Sequence, residues 1–178
     1  MNWASTLVFD RLARETPMLF VAARAEARNL NHRHTGTGHI MLALLREDDA
    51  PVAREIRALP AAAVLREAGV TLEAAESAVM EAEGSSTEAV RPRTTAGRPV
   101  SVDSPAGEGE LFEQPFTAEL EEALGTAARR WPWVTPTHLL LAIFEQGPTT
   151  ASDVLSTLGV SRTTVRDKLR KLLDDDER

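Results

Sequence analysis

The 178-residue sequence predicts an all-α fold in which two related helical units pack into one globule and are joined by a long loop. Three observations carry this expectation. Apolar residues recur at spacings of three and four, and sustained alternation of β-branched residues is absent. A loop–helix–loop–helix segment occurs twice, in the same order. Between the copies, Gly84–Glu110 is rich in Gly, Ser, Thr and Pro and almost lacks large apolar side chains. The expected organisation is therefore a first repeat at 1–83, a flexible linker at 84–110 and a second repeat at 111–178.

The elements of the first repeat follow in order. Thr16-Pro17 reads as a helix start, with a hydroxyl cap and then proline at the first helical position. Leu19, Ala23, Ala27 and Leu30 make one apolar face, and Asn29 and Asn31 suit its end. A second helix is expected from about Gly38 to Arg46; it is apolar nearly all round, so it should be buried. Pro51 can open another helix, which Pro60 interrupts before Ala61–Ala68. Gly69 supplies a stop, and Thr71 caps a last helix to about Glu83.

The internal repeat is read directly. HIMLALLRE (His39–Glu47) matches HLLLAIFEQ (His138–Gln146). VLREAGVTLEAAESAV (Val64–Val79) matches VLSTLGVSRTTVRDKL (Val154–Leu169), with Gly69 opposite Gly159. His39 to Gly69 spans 30 positions and His138 to Gly159 spans 21, so the first copy carries about nine extra residues, expected near 50–60. The second copy starts with a helix whose stripe is Phe116, Leu120, Leu124 and Ala127. Each unit alone cannot bury its apolar face, so the two are expected to share a core.

Composition narrows the function classes. Net charge is −7, which opposes binding to nucleic acid or anionic membranes. Without cysteine there are no disulfides, cysteine nucleophiles or thiolate metal sites. The longest apolar run, Ile40–Leu45, is far below the ~20 residues that span a bilayer, and no secretory signal is visible, so the expected location is cytoplasmic. Glu121-Glu122 and Asp174-Asp175-Asp176 are paired carboxylates without a legible nucleophile–base arrangement, so no enzyme and no cofactor are expected.

The sequence resembles the N-terminal repeat domain of Clp-type ATPase chaperones. The match runs through GTGHIMLALL (Gly36–Leu45), TPTHLLLAIF (Thr135–Phe144), Phe116-Thr117, AGV (Ala68–Val70) and LGV (Leu158–Val160). It covers nearly everything except the linker. The resemblance implies a pair of four-helix repeats that receives substrate proteins, adaptors and, in some members, phospho-arginine tags. No GxxxxGKS/T segment occurs in these residues, so the expected activity is binding rather than ATP-driven unfolding. Clp substrates, adaptors or a Clp ATPase are the expected partners, with a role as accessory or decoy.

The resemblance also supplies candidate binding positions. The family's acidic residue for the tag's guanidinium falls on Gly38 in the first copy and Thr137 in the second, so the charge partner of phospho-arginine is missing from both. The family's helix-opening Thr falls on Ala13 and Thr117. Phe9 and Phe116 match aromatic positions that line a groove where cyclic-peptide antibiotics dock in some members, although both can equally pack in the core. His39 and His138 stand at equivalent helix starts. They lack the HxxxH or HExxH spacing of a built metal site, and structural hydrogen bonds are the expected role. His32 and His34 lie near enough to His39 for a weak incidental metal site. Trp131 and Trp133, flanking Pro132, read as either a hydrophobic contact point or a packed loop. Two other readings remain: sequestration of a peptide antibiotic through the Phe9/Phe116 groove, and a DNA-binding regulator. Leu158–Leu172 resembles the turn and recognition helix of a helix-turn-helix repressor, with Arg162, Arg166, Lys168, Arg170 and Lys171. Its counterpart in the first copy, AGVTLEAAESAVMEA, has no basic residue.

Overall fold

A computed structural model describes residues 10–46, 51–84 and 115–176. Among these residues there are nine helices and no strand. In chain order they are α1 (Glu15–Asn29), α2 (Thr37–Leu45), α3 (Pro51–Arg57), α4 (Pro60–Glu67), α5 (Leu72–Gly84), α6 (Ala118–Arg130), α7 (Pro136–Glu145), α8 (Thr150–Thr157) and α9 (Arg162–Asp176). The order α1, α2, α4, α5 recurs as α6, α7, α8, α9. The additional residues of the first copy form α3, which begins at Pro51. Most of the expected linker, from 85 onward, lies outside the described residues.

Local chemistry accounts for the helix ends. Gly69 and Gly159 take positive φ, 84° and 69°, as the stops after α4 and α8 require. Asn31 does the same after α1, at φ 57°. Thr117, Thr135 and Thr149 cap α6, α7 and α8 by accepting a backbone N–H on their hydroxyls. One expected cap is corrected. Thr16 lies inside α1, and its hydroxyl donates to the Val134 carbonyl at 2.7 Å instead of capping its own helix.

All nine residues of α2 are buried, as its all-round apolar sequence implies. Leu139–Phe144 of α7 are buried likewise. These two helices anchor one continuous apolar core drawn from both copies. Removing a side chain such as Leu44, fully buried, costs about 2–5 kcal/mol because a cavity replaces its contacts.

The contacts between copies are reciprocal. Helix α5 packs on α8, and α9 packs on α4; α2 packs on α8, and α7 on α4. Each copy thus sets its third helix against the second and last helices of the other. The entry segments obey the same rule: Leu12 forms a parallel bridge with Val134, and Phe116 forms one with Thr35. A contact of i with j matched by j with i is the signature of a two-fold relation. Here it lies within one chain, so the repeats are pseudo-symmetric. This register makes Leu12 the counterpart of Phe116, in step with the Ala13–Thr117 correspondence read from the sequence; Phe9 lies outside the described residues.

Candidate functional site

The candidate residues fall on two sides of the junction between the copies. On one side, the N-terminus of α2 meets the start of α6 and of α8. The Glu119 carboxylate accepts the Thr150 backbone N–H at 3.2 Å and the Thr37 hydroxyl at 3.4 Å. The Thr37 oxygen in turn accepts the Ala151 N–H at 3.2 Å. Helix N-termini leave N–H groups without intrahelical partners, and a carboxylate is a suitable acceptor for them. Glu119 therefore occupies, from within the protein, the kind of position where an external anion would bind.

Gly38 is buried at this junction. A Cβ built on it would stand 3.0 Å from Thr150 Cγ2 and 3.0 Å from Val79 Cγ2. The space that an acidic side chain would need is taken by two branched side chains. Thr137, the counterpart in α7, is also buried. Thr117 is half-buried beside the α2 N-terminus, its Cγ2 3.2 Å from the Cβ position of Gly36. Phe116 packs inward: its ring lies 5.1 Å from that of Phe20, and the Arg24 guanidinium sits 4.7 Å above it.

The two repeated histidines act at their helix starts. Gly36 N–H donates to His39 Nδ1 at 3.0 Å, and Thr135 N–H donates to His138 Nδ1 at 3.2 Å. In α7 the bond is returned, since the Thr135 hydroxyl accepts His138 N–H at 3.3 Å. Gly36 has no side chain, so in α2 only the histidine half of this arrangement exists.

The surroundings of the histidines differ. His39 Nε2 lies 2.8 Å from His32 Nδ1, and His32 Nδ1 lies 2.9 Å from Glu83 Oε2. Burial, followed by the neighbouring His32, lowers the His39 pKa to about 4. Burial lowers that of His32. Burial and the Glu119 charge raise that of Glu83. Spacing arguments missed this cluster because its carboxylate arrives from the end of α5, forty-four positions after His39. His34, the other neighbour named from sequence, is exposed.

On the other side, Trp131 stacks on His138 with centroids 4.5 Å apart, and Arg130 covers Trp131 at 4.6 Å. Trp131, Pro132, Leu141, Arg170 and Leu173 line a shallow groove of about 350 Å³. Beside Trp131, which packs, Trp133 is 62% exposed. Of the two, Trp131 is thus the packed one.

The segment resembling a DNA-recognition helix forms α9. Val165 and Leu169 are fully buried in the core. Arg170 pairs with Glu145 at 2.6 Å, Lys168 with Glu67 at 3.3 Å and Arg166 with Asp167 at 3.3 Å. Arg162 donates to the Gly147 carbonyl. Their charge is largely balanced by local acids, unlike the basic face that phosphates require. No helix among the described residues is long and apolar enough to cross a membrane.

No family model matches the chain. Among curated proteins, it is 26% identical over 178 residues to the negative regulator of genetic competence ClpC/MecB of Bacillus subtilis (strain 168). It is 28% identical over 176 residues to the ATP-dependent Clp protease ATP-binding subunit ClpA homolog of Guillardia theta. These alignments cover 96% and 94% of the chain, and the chain spans only 18% of the length of each relative. Among solved structures, it resembles the N-terminal domain of the chaperone ClpD from Arabidopsis thaliana, with a TM-score of 0.62 at 18% identity. That likeness covers 93% of this chain and 96% of the other. The chain is thus similar over nearly its whole length to part of ClpC- and ClpA-type proteins and has the fold of the Clp N-terminal domain.

Proposed function

We propose that this chain is a non-catalytic protein- and peptide-binding module that serves Clp proteolysis as an accessory or decoy, sharing substrates or adaptors with a Clp ATPase. The observation that carries the reading is the match of the fold, across nearly its whole length, to the N-terminal domain of a Clp chaperone. The surface supports it at one place. Trp133, two positions after the groove-lining Trp131, stands exposed, and an exposed tryptophan is a good anchor for a protein partner.

Phospho-arginine is not the ligand assigned. Gly38 and Thr137 lack the charge for its guanidinium, and Glu119 already fills the anion-binding position at α2 and α8. The test is capture of unfolded clients or purified Clp adaptors by the immobilised chain at micromolar concentration, with Trp133→Ser alongside. Binding that falls at least tenfold in the variant supports the reading; absence of capture by the wild-type chain overturns it.

A further inference from the structure

We propose that His32, His39 and Glu83 form a binding site for one borderline divalent metal ion, with zinc as the preferred occupant. Three potential ligand atoms, one from each residue, lie within 4.8 Å of one another. Two histidine nitrogens and one carboxylate oxygen make a three-ligand zinc set, completed by water. Hard cations such as magnesium prefer all-oxygen sets, and thiolate-seeking ions find no sulfur here. Tetrahedral zinc holds its nitrogen ligands about 3.3 Å apart. The two separations from His32, 2.8 and 2.9 Å, need a slight opening, and the His39–Glu83 separation, within 4.8 Å, closes the triangle.

Proton accounting gives the second argument. His39 Nδ1 accepts the Gly36 N–H, so its ring proton is on Nε2, pointing at His32 Nδ1. Yet His32 Nδ1 also stands 2.9 Å from Glu83 Oε2. One imidazole nitrogen cannot both accept from the His39 Nε2–H and donate to the Glu83 carboxylate, and Glu119 adds further negative charge near Glu83. A cation satisfies all three ligands at once. Its entry requires His39 to carry its proton on Nδ1, leaving the Nε2 lone pair for the metal. The Gly36 bond is given up, and Nδ1–H then faces Glu83 Oε1, now 3.8 Å away. Loss of one helix-cap bond is small beside the binding strength of a three-ligand zinc site.

The second repeat shows the same place built without ligands. His32 lies seven positions before His39; seven before His138 stands Trp131. Glu83 lies fourteen positions after Gly69; fourteen after Gly159 stands Leu173. The equivalent trio is thus Trp131, His138 and Leu173, with the Trp131 ring packed against His138 and Trp131 and Leu173 lining the same groove. Helix capping alone is met by the histidine in either copy. The polar pair His32 and Glu83 is what the first copy adds, at a desolvation cost that capping does not explain. An occupied site would tie the α1–α2 loop to the end of α5, where the chain leaves the first repeat.

The test uses chelator-treated chain titrated with zinc chloride, with metal counted after equilibrium dialysis, and cobalt(II) as a visible-spectrum probe. We expect one zinc per chain, a tetrahedral cobalt spectrum, and transfer of the His39 ring proton from Nε2 to Nδ1 in nitrogen NMR. Glu83→Gln and His32→Ala should each weaken binding by more than the ~10–100-fold typical of losing an outer-shell partner. His34→Ala and His138→Ala should bind as wild type. Melting in metal-free buffer checks that each variant is folded, and the wild-type cobalt spectrum and proton transfer stand independently of them. Failure of the wild-type chain to bind zinc, an unchanged His39 tautomer on loading, or full binding by both Glu83→Gln and His32→Ala would overturn the proposal.

Discussion

Replacing Thr37 with valine tests whether the two repeats are locked at the α2–α6–α8 junction. The change keeps the side-chain shape and deletes one hydroxyl. That hydroxyl is fully buried, accepts the Ala151 N–H at 3.2 Å and donates to Glu119 at 3.4 Å. Its loss leaves the Ala151 N–H, in the first turn of α8, without its acceptor. An unsatisfied buried donor costs about 1–3 kcal/mol, and the long Thr37–Glu119 bond adds little, so the expected loss is about 2 kcal/mol. For a chain of this size each kcal/mol moves Tm by about 2–4 °C, which gives a fall of roughly 4–8 °C. Glu119→Gln weakens the charge-assisted bond to Thr150 N–H, and the double variant should show coupling of about 0.5–1 kcal/mol because both residues share one network. Urea unfolding monitored by circular dichroism and by tryptophan fluorescence supplies the measurement. With Trp3 replaced by phenylalanine in every variant, the remaining tryptophans, Trp131 and Trp133, belong to the second copy, so coincident transitions report that the repeats unfold together. A Thr37→Val variant within about 0.5 kcal/mol of wild type, or strictly additive variants, would refute the lock.

Two other predictions follow from buried groups. Gly38→Glu restores the acidic residue of the resembling family but drives its Cβ against Thr150 and Val79; overpacking should cost about 1–3 kcal/mol, and calorimetry against a phospho-arginine peptide should show no gain in binding. Arg46→Ala strips the bidentate partner, at 2.8 Å, from Glu26, which is 3% exposed. The loss should be about 3–5 kcal/mol near neutral pH, because a buried charge remains uncompensated. Burial already raises the Glu26 pKa, and removing Arg46 raises it further. The native state then takes up a proton at a higher pH than the unfolded chain, so the variant's deficit should shrink as pH falls through the folded pKa, which urea midpoints across pH would show.

The helical class, the two copies and their breaks were legible because they rest on local chemistry. Periodicity marked α1, the all-apolar run marked α2, and Gly69 and Gly159 marked turns that need positive φ. Even the extra residues of the first copy were placed near Pro51, where α3 begins. Thr16 was misread as a cap, because its best acceptor, the Val134 carbonyl, lies 118 positions away. Spacing along the chain carries no information about such a partner. The register between the copies, set by the bridge of Leu12 to Val134, was likewise beyond the reach of local spacing.

The sequence by itself determined that this protein is a duplicated helical module, since periodicity, turn glycines and repetition are written residue by residue. Only the tertiary structure decided what lies at its candidate sites. It closed the Gly38 position with Thr150 and Val79, turned Glu119 onto two helix N-termini, and brought Glu83 to His32 and His39. The physical reason is that helix formation depends on neighbours a few residues apart. A site depends on which side chains packing brings within a few ångströms, and here those come from both repeats and from opposite ends of one of them.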